Sequence, residues 1–531
     1  MKKILLLTLT LLSLSATAQK RPALVVGIVV DQMRYEYLNK FYDRYSNNGF
    51  KRLMNEGLNC TDNHYNYAPT VTAAGHASVY TGTVPAVHGI VGNEWIDVAT
   101  SKKVYCVDDS TVQTVGSKSK AGLMSPKNLW TSTITDQLKM AQNYKSKTIA
   151  IALKDRGSIL PGGHTANGSY WYDSADGYWI SSSFYMKELP AWVQKFNLEG
   201  RPQKLVSQGW NTLYPISTYT RSAEDDNPYE SKLPGEKTPT FPHELKGGNA
   251  LEVLRTSPYG NTLTKDFALK AIEEEKLGKN GTTDFLAISF SSPDYVGHSF
   301  GPQSIELEDT YLRLDQDIAE IISYLDAKLG KNQYLVFLTA DHAVAEIPAY
   351  IQSKRMPGGV FDNGKALIDA KKALKQEFGD VDIITGTDNY QIYLNQANLV
   401  RLQISKEAVG KVLEKSFKNQ PGFAELVNMR EAASSPIPSL YREMITNGYN
   451  QHRSGDFMYL LKPQWFSSGY KTGTTHSALY AYDSHVPLLF FGWNVKPGTI
   501  NQRTHISDIS STLANWLKIN EPSGSIGKVI Q

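Results

Sequence analysis

A chain of 531 residues, 41% hydrophobic and 20% charged, has room for one large α/β domain with insertions. Its formal charge of +3 falls to +1 once Lys2 and Lys3 are set aside, which excludes the basic balance of a nucleic-acid-binding protein. Two cysteines, Cys60 and Cys106, are too few for a Cys-based zinc site; they can pair or stay as two buried thiols, and spacing leaves both open.

Lys2 and Lys3, the apolar run Ile4 to Leu14 and Ala16-Thr17-Ala18 read as a signal peptide over residues 1–18. The mature chain is expected over 19–531, periplasmic or secreted, with no membrane span. Ala23 to Val30 is a continuous apolar, β-branched run, as in a strand buried on both faces of a parallel sheet, and it stops at Asp31. Ligands of open α/β sheets bind at such strand ends. Residues 35 to 56 look helical, with a break at Asn47-Asn48-Gly49. Tyr67 to His76 reads as a loop entering a helix at or near Thr72. A hydroxyl there can cap the helix, or it can act as a nucleophile where free N–H groups attract an anion. Asn93 stands in a glycine-flanked loop, where its amide can donate to an oxyanion or hold a turn.

Thr148 to Leu153 is the next short strand, followed by Lys154-Asp155-Arg156. Alternate residues of an extended segment point the same way, so Lys154 and Arg156 could converge on one anion. Residues of about 160–265, rich in Gly, Pro, Tyr and Trp, read as a first insertion that shapes a pocket. Phe285 to Phe290 is a buried strand leading to Asp294 and His298, four apart on one helical face and suited to sharing a metal. Residues 305 to 328 form an amphipathic helix. Tyr334 to Ala340 is another strand, ending in Asp341-His342, which can serve one site only if the chain turns there. A second insertion of about 345–475, with a strand-like Asn389 to Leu394, precedes His476, the strand Val486 to Phe491 and a last helix through Ile509, Leu513 and Leu517.

Asp31, Asp294, His298, Asp341, His342 and His476 thus make mixed carboxylate and imidazole sets at strand ends. Catalytic zinc sites take three such ligands, and two close together clamp both oxygens of a phosphoryl displacement. Through VVDQMR, PTVTAAGH, VGN, LKDR, SSPDYVGHSFGP, TADH and GTTH, the chain resembles the alkaline phosphatase superfamily, in its threonine-nucleophile branch, from about residue 23 to about 518.

The resemblance implies an alkaline-phosphatase-like three-layer α/β sandwich with a mostly parallel sheet and two large insertions. It implies a zinc pair, one ion on Asp294, His298 and His476, the other on Asp31, Asp341 and His342 with Thr72. Thr72 would be the nucleophile of a phosphothreonine intermediate, and Asn93, Lys154 and Arg156 would hold the phosphoryl oxygens. The expected activity is broad-specificity hydrolysis of small phosphate monoesters by a monomer. A nucleotide pyrophosphatase or phosphodiesterase shares all but Lys154 and Arg156, and the extra charge of a monoester favours that pair. A non-catalytic phosphate-binding protein would have lost a ligand, and none is missing. Ala343 departs from the glycine this superfamily usually has after the Asp-His pair. His64, His76, His88 and His485 are left as structural or supporting groups.

Overall fold

The computed structural model describes residues 21–467 and 472–531, so the signal-peptide reading lies outside the described residues. Its frame is a ten-stranded sheet. The strand order is Gly498–Ile500, Leu58–Cys60, Leu488–Gly492, Tyr334–Thr339, Leu24–Val30, Asp284–Phe290, Thr148–Ala152, Gly168–Asp173, Tyr178–Ser182 and Thr114–Val115. The five strands from Tyr334–Thr339 to Gly168–Asp173 run parallel, in register from Leu24 opposite Asp284 on one side and Tyr334 on the other. Leu488–Gly492 and Tyr178–Ser182 flank them antiparallel.

Every residue of Leu24–Val30 and Asp284–Phe290 is buried, so helices must cover both faces of the sheet, as continuous β-branched runs require. The helix Thr72–Thr81 packs against both Asp155–Gly162 and Asp508–Leu517, and Tyr259–Glu274 packs on Ile305–Leu329. The outcome is the sandwich expected from the sequence. A Cβ on Gly27 would lie 2.5 Å from the Tyr80 hydroxyl and 2.6 Å from the Phe337 ring, so only glycine lets the Thr72 helix sit this close.

Several elements differ from the sequence expectation. Residues 35–56 do break at the expected Asn47-Asn48-Gly49, but the interruption is wider: the α-helices are only Glu36–Lys40 and Phe50–Glu56, and between them the Asp315 carboxylate from a distant helix accepts from Ser46 N and Phe50 N at 2.6 and 2.7 Å. Part of the first insertion, Gly168–Asp173 and Tyr178–Ser182, extends the main sheet. The second insertion builds its own four-stranded sheet over a separate apolar core that includes Val409, Leu413 and Phe457. Cys60 and Cys106 are both free and buried, which settles the cysteine question against a disulfide. No helix among the described residues is long and apolar enough to cross a membrane.

Candidate active site

Four parallel strands deliver polar groups to one rim. Asp31 follows Val30, Lys154 follows the strand Thr148–Ala152, Asp294 lies in the helix Ser292–Phe300 after Phe290, and Asp341-His342 follow Thr339. The chain leaves the strand before Asp341, which lets both neighbours face one site. His476 arrives from the loop after the second insertion.

Two buried groups result, each with ligand atoms within 4.8 Å of one another: Asp31, Asp341 and His342; and Asp294, His342 and His476. His298 Nε2 lies 3.1 Å from Asp294 Oδ1, on the helical face its spacing predicts. His476 Nε2 lies 3.9 Å from the same oxygen, and its ring stacks on His342 at 3.6 Å. His342 therefore stands between the two sets.

Both Asp31 oxygens and Asp341 Oδ2 are buried without a regular hydrogen-bond partner. Asp31 Oδ2 has an ion-pair contact to Lys154 Nζ at 2.7 Å, and Lys154 also donates to Asp294 Oδ2 at 2.5 Å. Burial and the neighbouring Asp294 and Asp341 raise the Asp31 carboxyl well above its usual range, despite Lys154. Asp341 is pushed up to about 7, first by burial. Burial opposes ionisation of Asp294 too, but His298 and Lys154 hold it well below its usual range. Buried carboxylates with unmet lone pairs, interleaved with imidazoles, fit divalent cations. The imidazole Nδ1 atoms are already engaged: His298 with Thr474 O at 2.8 Å, His476 with Thr70 O at 2.7 Å and His342 with Ala343 O at 3.0 Å. Each is thereby a donor through Nδ1, leaving Nε2 as the lone-pair end.

Thr72 is the first residue of its helix, and the N-cap position belongs to the extended Val71, which gives no side-chain cap. The capping alternative is therefore not the one the chain adopts. Thr72 Oγ1 instead accepts from Lys154 Nζ at 3.4 Å and lies 3.5 Å from His342 Nε2. Asn93 Oδ1 accepts from Ala73 N at 2.9 Å, which turns the amide NH2 outward as a donor. The chain enters a helix at Asp155, so Arg156 does not reach the site by strand alternation. It sits in the first helical turn, with Nη1 donating to the Tyr105 hydroxyl at 3.1 Å and Nε buried without a partner.

Three supporting residues were not singled out by sequence. Gln32, left-handed at φ 65°, donates from its backbone N to Asp341 Oδ1 at 3.1 Å and from Nε2 to Asp294 Oδ1 at 2.7 Å. Tyr105 donates to Asp155 Oδ1 at 2.5 Å and receives Arg156. Ser289 meets His76 Nε2 at 2.9 Å, while His76 Nδ1 meets Thr72 O at the same distance. The only sequence trace was a glutamine directly after Asp31 and a glycine at 297, where a Cβ would lie 2.0 Å from Gln32 Oε1. A third His/Asp group, Asp62, His64 and His485, shares no residue with these two. Its two rings stack 4.6 Å apart with 4° between planes, so their in-plane lone pairs run side by side, and Arg503 already pairs Asp62 at 2.8 Å.

A hydroxyl at a helix start, flanked by two metal-fitting groups and two cations at the rim of a parallel sheet, defines the equipment of a phosphoryl-transfer hydrolase. The chain belongs to the type I phosphodiesterase / nucleotide pyrophosphatase family, whose model matches residues 25–485. It is 47% identical to alkaline phosphatase PafA of Elizabethkingia meningoseptica, over 97% of this chain and 94% of that one. The crystal structure of wild-type PafA superposes with a TM-score of 0.93 at 46% identity, covering 96% of this chain and 98% of that one. A Myroides odoratus protein named calcium-transporting ATPase is 50% identical over 98% of this chain and 96% of its own length. The resemblance to the alkaline phosphatase superfamily and its fold therefore holds.

Proposed function

We propose that this protein is an exported, zinc-dependent alkaline phosphatase of broad specificity that hydrolyses phosphate monoesters through a phosphothreonine at Thr72. The observation that carries it is the Thr72 hydroxyl at the helix start, held 3.4 Å from Lys154 Nζ beside two groups of buried Asp and His. When bound, zinc on Asp294, His298 and His476 and on Asp31, Asp341, His342 and Thr72 supplies Lewis-acid charge to both oxygens of the displacement.

The chain's own groups do the rest. Thr72 Oγ attacks phosphorus, and the bond to the alcohol oxygen breaks. Water then attacks the phosphothreonine, returning the Thr72 hydroxyl and releasing inorganic phosphate. Lys154, the unpartnered Nε of Arg156, and the outward amide of Asn93 bind the non-bridging oxygens. The carbonyl partners of His298, His342 and His476 hold the rings in one tautomer. Both insertions belong to one catalytic domain over residues 19–531, and we expect it to work as a monomer.

The family description also covers phosphodiesterases. Lys154 and Arg156 favour the monoester, whose dianion carries more charge on those oxygens. Ion transport, the name of the Myroides relative, has no support in the site. The test is turnover of an aryl phosphate by wild type, Thr72→Ser and Thr72→Ala, with acid trapping of the enzyme during turnover. Thr72→Ser should keep part of the rate, Thr72→Ala almost none, and phosphate should be recovered on Thr72 of wild type. Near-normal turnover by Thr72→Ala, with no trapped phosphate, refutes the covalent route.

A further inference from the structure

On the phosphatase reading, the departing alcohol lies on the side of His298 and His476, away from Thr72. A cavity of 270 Å³ has His476, between Thr475 and Ser477, in its wall. The opposite wall is the tip of the second insertion's hairpin, Ile384–Asp388 and Gln391–Leu394. The hairpin turns through Asn389 and Tyr390, both left-handed at φ 47° and 64°, the backbone of a two-residue type I′ turn. Asn389 Nδ2 donates to Asp388 Oδ2 at 2.5 Å.

The tip is seated on the catalytic core. A Cβ on Gly92 would come within 2.8 Å of Asn389 Nδ2, so the glycine before Asn93 is what admits it. From the other side the Tyr390 ring packs on Tyr459 at 5.5 Å, and Ser467 N donates to the Tyr390 hydroxyl at 3.4 Å. A bulky residue in a left-handed turn is uncommon. Such conformations persist where surrounding structure over-determines them, which is often at a binding site.

We propose that this cavity is the leaving-group subsite, and that it accepts a neutral, hydroxyl-rich group such as a sugar in preference to a small alkyl group or a second phosphate. The proposal rests on the phosphatase reading above. Asp388, Asn389 and Ser467 offer an acceptor and donors that match hydroxyls, and the rings of Tyr390 and Tyr459 offer flat apolar faces. Among the described residues no Lys or Arg lines the cavity, and Lys103, outside its lining, already acts on Asp388, so a phosphate-bearing leaving group would find no cation in the described wall to pair with. Sites built to pair a hydroxyl discriminate strongly against a substrate that leaves the polar groups unpaired.

The test uses the metal-loaded full-length enzyme with glucose 6-phosphate, ethyl phosphate and inorganic pyrophosphate. Ethyl phosphate presents the same alkyl ester without hydroxyls. Wild type should favour the sugar phosphate over ethyl phosphate by about tenfold or more in kcat/KM, with pyrophosphate poorest. Asp388→Ala should lower kcat/KM for glucose 6-phosphate by about ten-fold and leave ethyl phosphate within about two-fold. Asn389→Gly, which suits a left-handed turn and so spares the fold, should act the same way. Equal losses on both esters, or a wild type with no sugar preference, overturn the subsite while ethyl phosphate turnover leaves the phosphatase reading standing. No turnover of either ester overturns both.

Discussion

Arg156→Ala and Lys154→Ala should separate charge recognition from charge balance. Arg156 touches no carboxylate of the metal-fitting groups; its closest acidic neighbour is Asp155, at 3.9 Å, and its Nε has no partner. With Nη1 held by Tyr105, its Nε is left to donate to a phosphoryl oxygen. Losing one charge-assisted contact costs about 1.5–3 kcal/mol, and at 1.36 kcal/mol per decade that is roughly 10- to 150-fold in kcat/KM for a monoester. A diester carries less charge there, so its kcat/KM should fall much less. Lys154 is different, because it lies within 2.7 Å of Asp31 and donates at 2.5 Å to Asp294. Its removal from the metal-free protein strips two buried carboxylates of their nearest cation, and breaking a buried pair typically costs about 3–5 kcal/mol. Lys154→Ala should thus lower monoester turnover at least as much as Arg156→Ala, and also destabilise the chelated protein, which Arg156→Ala should not. The assays are kcat/KM for an aryl phosphate and its methyl diester, and urea unfolding with and without chelator. The effects need not add, since both cations serve one phosphoryl group. Equal loss on both esters in Arg156→Ala would refute recognition of the monoester charge and return the phosphodiesterase reading.

Elemental analysis should find close to two zinc ions per chain, and chelation should abolish activity that zinc restores; full activity in zinc-free protein contradicts the proposal. Gln32→Ala, which removes the side-chain bond to Asp294, should weaken metal retention by about 10- to 100-fold in chelator competition; unchanged retention would make Gln32 a packing residue only. Asp136 is buried, yet its hydrogen bonds from His164, Thr133 and Thr165 depress its carboxyl pKa. A depressed carboxyl contributes stability that is full above its unfolded value and lost as pH falls through the folded one. Asp136→Asn should therefore cost about 1.5–3 kcal/mol near neutral pH, with the gap to wild type closing below about pH 4 in urea titrations.

The rim of the sheet was legible because each parallel strand is a short apolar run stopped by a polar residue, as at Val30-Asp31 and Thr339-Ala340-Asp341. The i, i+4 pair Asp294 and His298 followed from helix geometry alone. What failed was set by distant partners. The break at Asn47-Asn48-Gly49 was legible, but nothing near residue 46 announces that the distant Asp315 will hold Ser46 N and Phe50 N there. Asp155 starts a helix where a continuing strand was expected, so the alternation argument for Lys154 and Arg156 rested on a conformation the chain does not keep. Asn389 and Tyr390 looked like strand residues and are a turn, fixed by packing on Gly92 and Tyr459. Gln32 escaped notice because its role depends on two carboxylates that are 262 and 309 positions away.

The carbonyl partners of the three imidazoles have a consequence for how this site can drift in evolution. Thr70, Ala343 and Thr474 hold the rings with main-chain oxygens that every amino acid carries. Mutation can rewrite those side chains freely and leave the support intact, which is how alanine can stand at 343. Ala343 does not have a positive φ, so the added methyl meets no backbone conflict. The vulnerable changes are instead ones that move backbone: insertions, deletions or prolines in the loops around 70 and 474. Because the Thr70 carbonyl lies two residues before Thr72, such a shift would displace the nucleophile and His476 together.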